Sequence, residues 1–351
     1  MRVAIDTNGL YTAQAGEARH IRGLLRGLAG AVEAVEVAWK VENFGFRQPE
    51  RALKTFYREL FWGPFLAGGQ IDRARPDLLH TTGAIFYRPR PGLAHVATLH
   101  DLAVLRTPGR FRRWQARAAR QTFARIAAAD RVLCISQFTA DEAMTLLALP
   151  ASKIAVVHNG CDYSGAEPPP ANPPKEPVPG DFLLFVGSLE PGKNLALLKD
   201  VYRLAAEAGK SLPALVIVGA RWAGVPGEGP PPANWHYLGR QPDAALVHLY
   251  RRARALVFPS KYEGFGLPVA EAMALGCPVI CSRVASVPEV AGDAAFYAEL
   301  TAPSYLDAII RLTKDDALRK DLIARGAVQS SRFTWEKCAR ETVAVYESTL
   351  R

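Results

Sequence analysis

The chain alternates short unbroken apolar runs with longer segments whose apolar residues recur at helical spacing. In the first half, residues 3–5, 77–80, 96–99, 132–135 and 153–157 read as strands, while 16–28 and 111–128 read as helices. Strand-first alternation of this kind predicts a mostly parallel sheet covered by helices. The pattern breaks at SGAEPPPANPPKEPVPG (164–180), where dense proline can neither continue a helix nor donate to a central ladder. It restarts at Asp181 with the buried-strand run FLLFVG, then a helix over 194–208, a strand over 214–218, a Gly/Pro-rich loop over 223–233, a helix over 243–252 and a strand over 255–258. The expected organisation is an α/β domain over 1–165, a linker over 166–180, a second α/β domain over 181–332, and an amphipathic final helix over 333–351. Open α/β sheets bind ligands at the carboxyl ends of their strands, so a cleft between the domains is the expected site.

Length agrees with two domains: the chain has 351 residues, and a single domain is usually ~100 to 200. Hydrophobic residues make up 49% and charged residues 22%, enough apolar material for sizeable cores. No stretch approaches the ~18 apolar residues of a membrane span. The opening MRVAIDTNGL reads as a strand and turn, so a cytoplasmic protein is expected. Cys134, Cys161, Cys277, Cys281 and Cys338 lack CxxC or zinc spacing and are expected to be reduced and mostly buried.

The formal net charge of +9 favours an anionic partner. Arg106, Arg110, Arg112, Arg113, Arg117, Arg120 and Arg125, with Phe111 and Trp114, fill an interval that has no acidic residue. They read either as a solvated helix face or as a surface for acidic headgroups or an anionic acceptor, on the inner face of the plasma membrane. No recognition motif accompanies the charge, so nucleic acid is not an expected partner.

The most informative stretch is SKYEGFGLPVAEAMALGCPVI (260–280). Pro268 suits the first position of a helix that Gly276 ends, which puts 264–267 at a helix N-terminus. Outward amides, the positive end of the dipole and the close approach allowed by Gly264 and Gly266 suit phosphate oxygens. Glu263 and Glu271 then fit hydroxyl donors at the two ends of a ligand with phosphates in its middle, the layout of a nucleotide sugar. A solvated Glu263 and a dipole-friendly Glu271 are the plainer alternative.

In its surroundings the stretch resembles the Glu-x7-Glu signature of glycosyltransferase family 4, the group 1 glycosyltransferases. FVGSLEPGKNL, YLGRQPDAALVHLYRRARALVFPS and SVPEVAGDAA are similar to further blocks of that family's donor domain. HDL, ISQFTADE and VVHNGCD are similar to blocks of its first domain, and GSLEPxKN resembles the bacterial O-antigen mannosyltransferase branch. The resemblance implies a GT-B fold of two facing Rossmann-like domains, the last helix crossing back to the first. It also implies a retaining, metal-independent hexosyltransferase with no cofactor, in which the departing diphosphate takes the acceptor's proton.

The implied roles fall on individual residues. Glu263 would hold hydroxyls of the transferred sugar and Glu271 the ribose; Phe265, Gly266 and Leu267 would offer amides to the sugar and diphosphate, beside Ser260 and Gly264. Lys193 would stabilise the leaving diphosphate. His100 would contact the sugar's hydroxymethyl group, Gly16 would approach the phosphates, and backbone groups around Arg240 and Gln241 would read the base. The chain departs from the pattern at Ser188, where relatives carry arginine, at Gly192, where the branch has another cation, and at Ala15, where a glycine is usual. Arg221 or Arg240 is the candidate substitute cation. The implied donor is GDP-mannose and the implied acceptor a saccharide or lipid-linked saccharide. A UDP-sugar transferase, a nucleotide-sugar epimerase and a non-catalytic nucleotide-sugar binder stay open as alternatives.

Overall fold

The computed structural model describes the chain apart from residues 13–15, 41–52, 54–56, 84–89, 108–112, 162, 164–171, 176–177 and 221–230. Ala15, Phe56, Arg110, Phe111, Arg112, Arg221, most of the proline-dense segment and most of the 223–233 loop therefore lie outside the described residues. Two compact units are present, one made of 1–160 with 335–351 and the other of 161–334.

The first unit holds strands β1 (Arg2–Asp6), β2 (Glu33–Val37), β3 (Leu78–Thr81), β4 (Ala94–Leu99), β5 (Arg131–Cys134) and β6 (Ile154–Val156). They form one sheet in the order β2-β1-β3-β4-β5-β6, and every neighbouring pair is parallel. Alternate residues feed opposite faces, the consequence of the two-residue strand period. Val3, Ile5, Leu78, Val96 and Leu133 meet helices Gly16–Leu28 and Trp335–Leu350 on one face. On the other face, Ala4, Leu79, Ala97, Leu99 and Val132 meet Trp62, Ile71, Phe123 and Ile126. The final helix is seated by Trp335, whose ring lies where a Cβ on Gly23 would fall, 2.1 Å from that position. At its other end the Tyr346 hydroxyl lies 2.6 Å from His80 Nδ1, and His80 Nε2 lies 2.8 Å from Thr98 Oγ1.

The second unit holds β7 (Phe182–Val186), β8 (Ala214–Val218), β9 (Trp235–Gly239), β10 (Ala255–Phe258), β11 (Val279–Cys281) and β12 (Ala295–Tyr297). Their order is β12-β11-β10-β7-β8-β9, again parallel throughout. Helices Leu195–Glu207 and Ala302–Lys314 share a core with β7, β8 and β10. All five cysteines are free and buried, and burial pushes the thiols of Cys134, Cys277 and Cys338 up to about 12. No helix among the described residues is long and apolar enough to cross a membrane.

Candidate active site

In the second unit the chemistry-bearing residues gather beyond the carboxyl ends of β7 and β10. Glu190 caps the short turn Pro191–Lys193, its Oε2 accepting from the Gly192 amide at 2.6 Å. Asn194, in the left-handed region at φ 57°, ends that turn and starts helix Leu195–Glu207. The Gly192 carbonyl accepts from the Lys261 amide at 2.8 Å, and Ser282 Oγ donates to the Ser260 carbonyl at 2.7 Å. Two loops distant in sequence are thereby fixed to each other. Lys193 Nζ then donates to Glu263 Oε1 at 2.6 Å, lies 5.7 Å from the centre of the Phe258 ring, and its methylenes pass over Gly187. Gly187 in turn abuts Gly219, where φ is +146° and a Cβ would fall 1.8 Å from the Gly187 carbonyl oxygen, so only glycine fits.

Helix Leu267–Ala274 follows Gly266, which stands at φ +100°. Leu267 rather than Pro268 takes the first helical position; Pro268 is second, still in the turn whose amides have no acceptor within the helix. Among the described residues the amides of Gly266 and Leu267 have no partner. The Phe265 ring packs edge-on against Phe333 at 5.4 Å, which pins the backbone just before them.

Both glutamates are buried, Glu263 with 8% and Glu271 with 3% of its surface exposed. A buried carboxylate needs partners to offset lost hydration. Glu263 has Lys193, and its own carbonyl accepts from Ser286 Oγ at 2.9 Å. Glu271 Oε2 accepts from the Tyr250 hydroxyl at 3.0 Å. A solvated Glu263 is therefore excluded. Tyr250, Ser282, Ser286 and Glu190 were missed by sequence reasoning; only Glu190, just before a proline-led turn, carried a readable signal.

The remaining expected contacts are less concentrated. Ser260 is fully buried and its Oγ has no hydrogen-bond partner among the described residues. Ser188 is half-buried, Arg240 is exposed at the end of β9, and Gln241 spends its amide on the Leu238 carbonyl at 2.6 Å. Ser136 caps helix Gln137–Leu147 by accepting from the Thr139 amide, a structural use for both residues.

In the first unit, Gly16 opens helix Gly16–Leu28 and His100 follows β4. His100 Nε2 donates to the Thr82 carbonyl at 2.7 Å. Its ring meets His20 edge-on at 4.9 Å, and His20 Nδ1 donates to Asn159 Oδ1 at 2.8 Å. Burial holds both imidazoles below their usual range, His20 at about 3. Sequence reasoning passed over Glu17, whose carboxyl lies against Gly9 and Gly83. Burial, with Asp6 and Asp101 nearby, raises it to about 7.

The sequence matches two families, Glycosyltransferase Family 4 over residues 15–164 and Glycosyl transferases group 1 over 171–329. The O-antigen chain mannosyltransferase B of Escherichia coli is 34% identical over 283 residues, 76% of this chain and 73% of that protein. The chain belongs to glycosyltransferase family 4. Among solved structures this family 4 chain resembles sucrose-phosphate synthase of Thermosynechococcus elongatus, with TM-score 0.72, 19% identity and coverage of 99% and 98% of the two chains. It also resembles Anabaena HepE in complex with UDP and glucose, with TM-score 0.70, 16% identity and coverage of 99% and 100%. These likenesses establish the GT-B fold.

Proposed function

We propose that the chain is a retaining, metal-independent hexosyltransferase that moves mannose from GDP-mannose to a hydroxyl of a saccharide or lipid-linked saccharide, in the assembly of a surface polysaccharide. The observation that carries this reading is the Lys193–Glu263 pair, 2.6 Å apart and fixed between two interlocked loops beside a helix N-terminus with two amides that have no partner among the described residues. That arrangement supplies a cation and N–H donors for a diphosphate, with carboxylates for hydroxyls at either end. The choice of mannose is supported by the E. coli relative and by an MMP alpha-(1->4)-mannosyltransferase of Mycolicibacterium hassiacum, 38% identical over 115 residues.

In the proposed reaction the bond from the anomeric carbon to the phosphate oxygen breaks while the acceptor oxygen bonds to the same face of that carbon. The acceptor's proton passes to the departing phosphate oxygen. Lys193 and the amides of Gly266 and Leu267 stabilise charge as it develops there, the role a divalent cation fills elsewhere. Glu263 accepts from sugar hydroxyls and Glu271 from ribose hydroxyls, with Ser260, Gly264 and Phe265 completing the loop. Ser188 leaves the diphosphate with one cation fewer, and the backbone at Arg240 and Gln241 meets the base.

Incubation with GDP-mannose, UDP-glucose or UDP-N-acetylglucosamine, with saccharide acceptors and a chelator, tests this. The expected outcome is mannosyl transfer with retained anomeric configuration by NMR. An inverted product, or transfer abolished by the chelator, contradicts the mechanism; turnover of a UDP-sugar alone reassigns the donor.

A further inference from the structure

Residues Arg58–Leu66 form a π-helix that runs into helix Ala67–Ala74. Its inner side is buried, with Trp62 and Arg58 both nearly inaccessible and Trp62 packed 6.0 Å from Trp39. Its outer side is not. Tyr57 is 41% exposed, Phe61 55%, Phe65 60% and Leu66 49%. Of the nine large apolar side chains exposed among the described residues, five fall in 53–66. Singly exposed apolar residues are ordinary, but a contiguous run on one segment marks an interaction surface.

The spacing makes the run a stripe. Tyr57, Phe61 and Phe65 are four residues apart, the interval at which neighbouring turns of a helix align, and the Tyr57 and Phe61 rings stack at 5.8 Å. Four residues on is Gly69, where a Cβ would have only Arg73 Nη2 near it, at 3.7 Å; four further is Arg73, exposed, whose guanidinium reaches back along the stripe. Arg75 follows, also exposed, while Asp72 is occupied by Arg90 at 2.6 Å. Helix Arg113–Ala127 lies on the same face of the sheet, since Phe123 and Ile126 share a core with Trp62 and Ile71, and its Arg117 and Arg120 are exposed. Exposed aromatic rings continued along the helix by an exposed guanidinium group, on a sheet face that carries further exposed arginines, match a bilayer interface whose headgroups are acidic: the rings sit at the boundary of headgroup and acyl chain, and the cations stay with the phosphates.

We propose that the stripe of Tyr57, Phe61, Phe65 and Leu66, continued by Arg73, docks the protein on an anionic bilayer. This surface holds none of the donor-site residues, so binding is separable from sugar transfer. Co-sedimentation of the full chain with phosphatidylcholine vesicles, with or without about a third phosphatidylglycerol, reads it directly. Binding is expected only with the anionic lipid. It should fall about tenfold in Phe61→Ser/Phe65→Ser and severalfold in Arg73→Glu or at high salt, with the melting temperature and sugar transfer to a soluble acceptor unchanged. Equal binding to both vesicles, no binding to either, or full binding by the double serine variant overturns the proposal. So does a concentration-dependent dimer in sedimentation velocity that the same variant abolishes, because the stripe then belongs to a second copy. Failure here leaves the donor reading standing, and failure of transfer with intact vesicle binding leaves this one.

Discussion

The two units carry titratable groups beyond their strand ends in opposite ways. In the second unit the buried carboxylates are partnered: Glu263 with Lys193 and Glu271 with the Tyr250 hydroxyl. In the first unit Asp6 and Glu142 keep partners, in Asn8 and Arg106, but a cluster of other buried groups is discharged instead. His20, His80 and His100 are held below their usual range by burial, and Glu17, with Asp6 and Asp101 near it, is raised to about 7. Pairing and neutralisation both lower the cost of desolvation, with different consequences. A paired carboxylate is ready to exchange its partner for a ligand, whereas a neutralised cluster makes its unit respond to pH.

The largest effect that can break this contrast is on turnover. Lys193→Ala and Glu263→Ala should each lower kcat/KM by about 10²–10³, the usual loss for a group aimed at developing charge. Because the two act as a pair, the double variant should lose little more than either single one; additive losses would mean that they work independently. Next, Gly219→Ala drives a Cβ into the Gly187 carbonyl beneath Lys193 and should cost about 3 kcal/mol in urea denaturation.

The pH response sharpens the other side of the contrast. A carboxyl raised from 4.5 to about 7 binds more protons folded than unfolded, so its stabilisation is complete below about 4.5 and is lost as pH rises to about 7. For His20, lowered from 6.5 to about 3, the sign reverses: its stabilisation is complete above 6.5 and lost as pH falls toward 3. Glu17→Gln should therefore gain on the parent by on the order of 2 kcal/mol between pH 5 and 8, while both still weaken in acid. A difference independent of pH would show that Glu17 is charged throughout. The smallest effect belongs to Tyr250→Phe, which removes one donor from buried Glu271 and should cost about 1 kcal/mol by chemical denaturation.

Much of this was legible in the chain because it is local. FLLFV, ALVIV and ALVF are unbroken apolar runs and became β7, β8 and β10. Gly266 and Pro268 marked a helix start to within one residue. The missed strands gave weaker signals. β2 reads EAVEV and is largely exposed at a sheet edge, β9 interleaves polar residues, and β11 and β12 are three residues each, too short for periodicity. The site's partners were hidden because they arise from folding: Tyr250 meets Glu271 across 21 residues and Lys193 meets Glu263 across 70. Glu17 carries no local signal, because its neighbours Asp6 and Asp101 come beside it only through the fold.

The central claim is that the unit formed by 161–334 holds a nucleoside diphosphate sugar between its two glutamates. Thermal unfolding with a panel of nucleoside diphosphates and their sugars, run on the parent chain and on Glu271→Ala, measures that most directly. A ligand at ~100 times its dissociation constant adds ~2.7 kcal/mol to the folded state. The account predicts that GDP and GDP-mannose raise the melting temperature of the parent and that Glu271→Ala loses most of the shift. A melt unmoved by every nucleotide, or an equal shift in the variant, would contradict it.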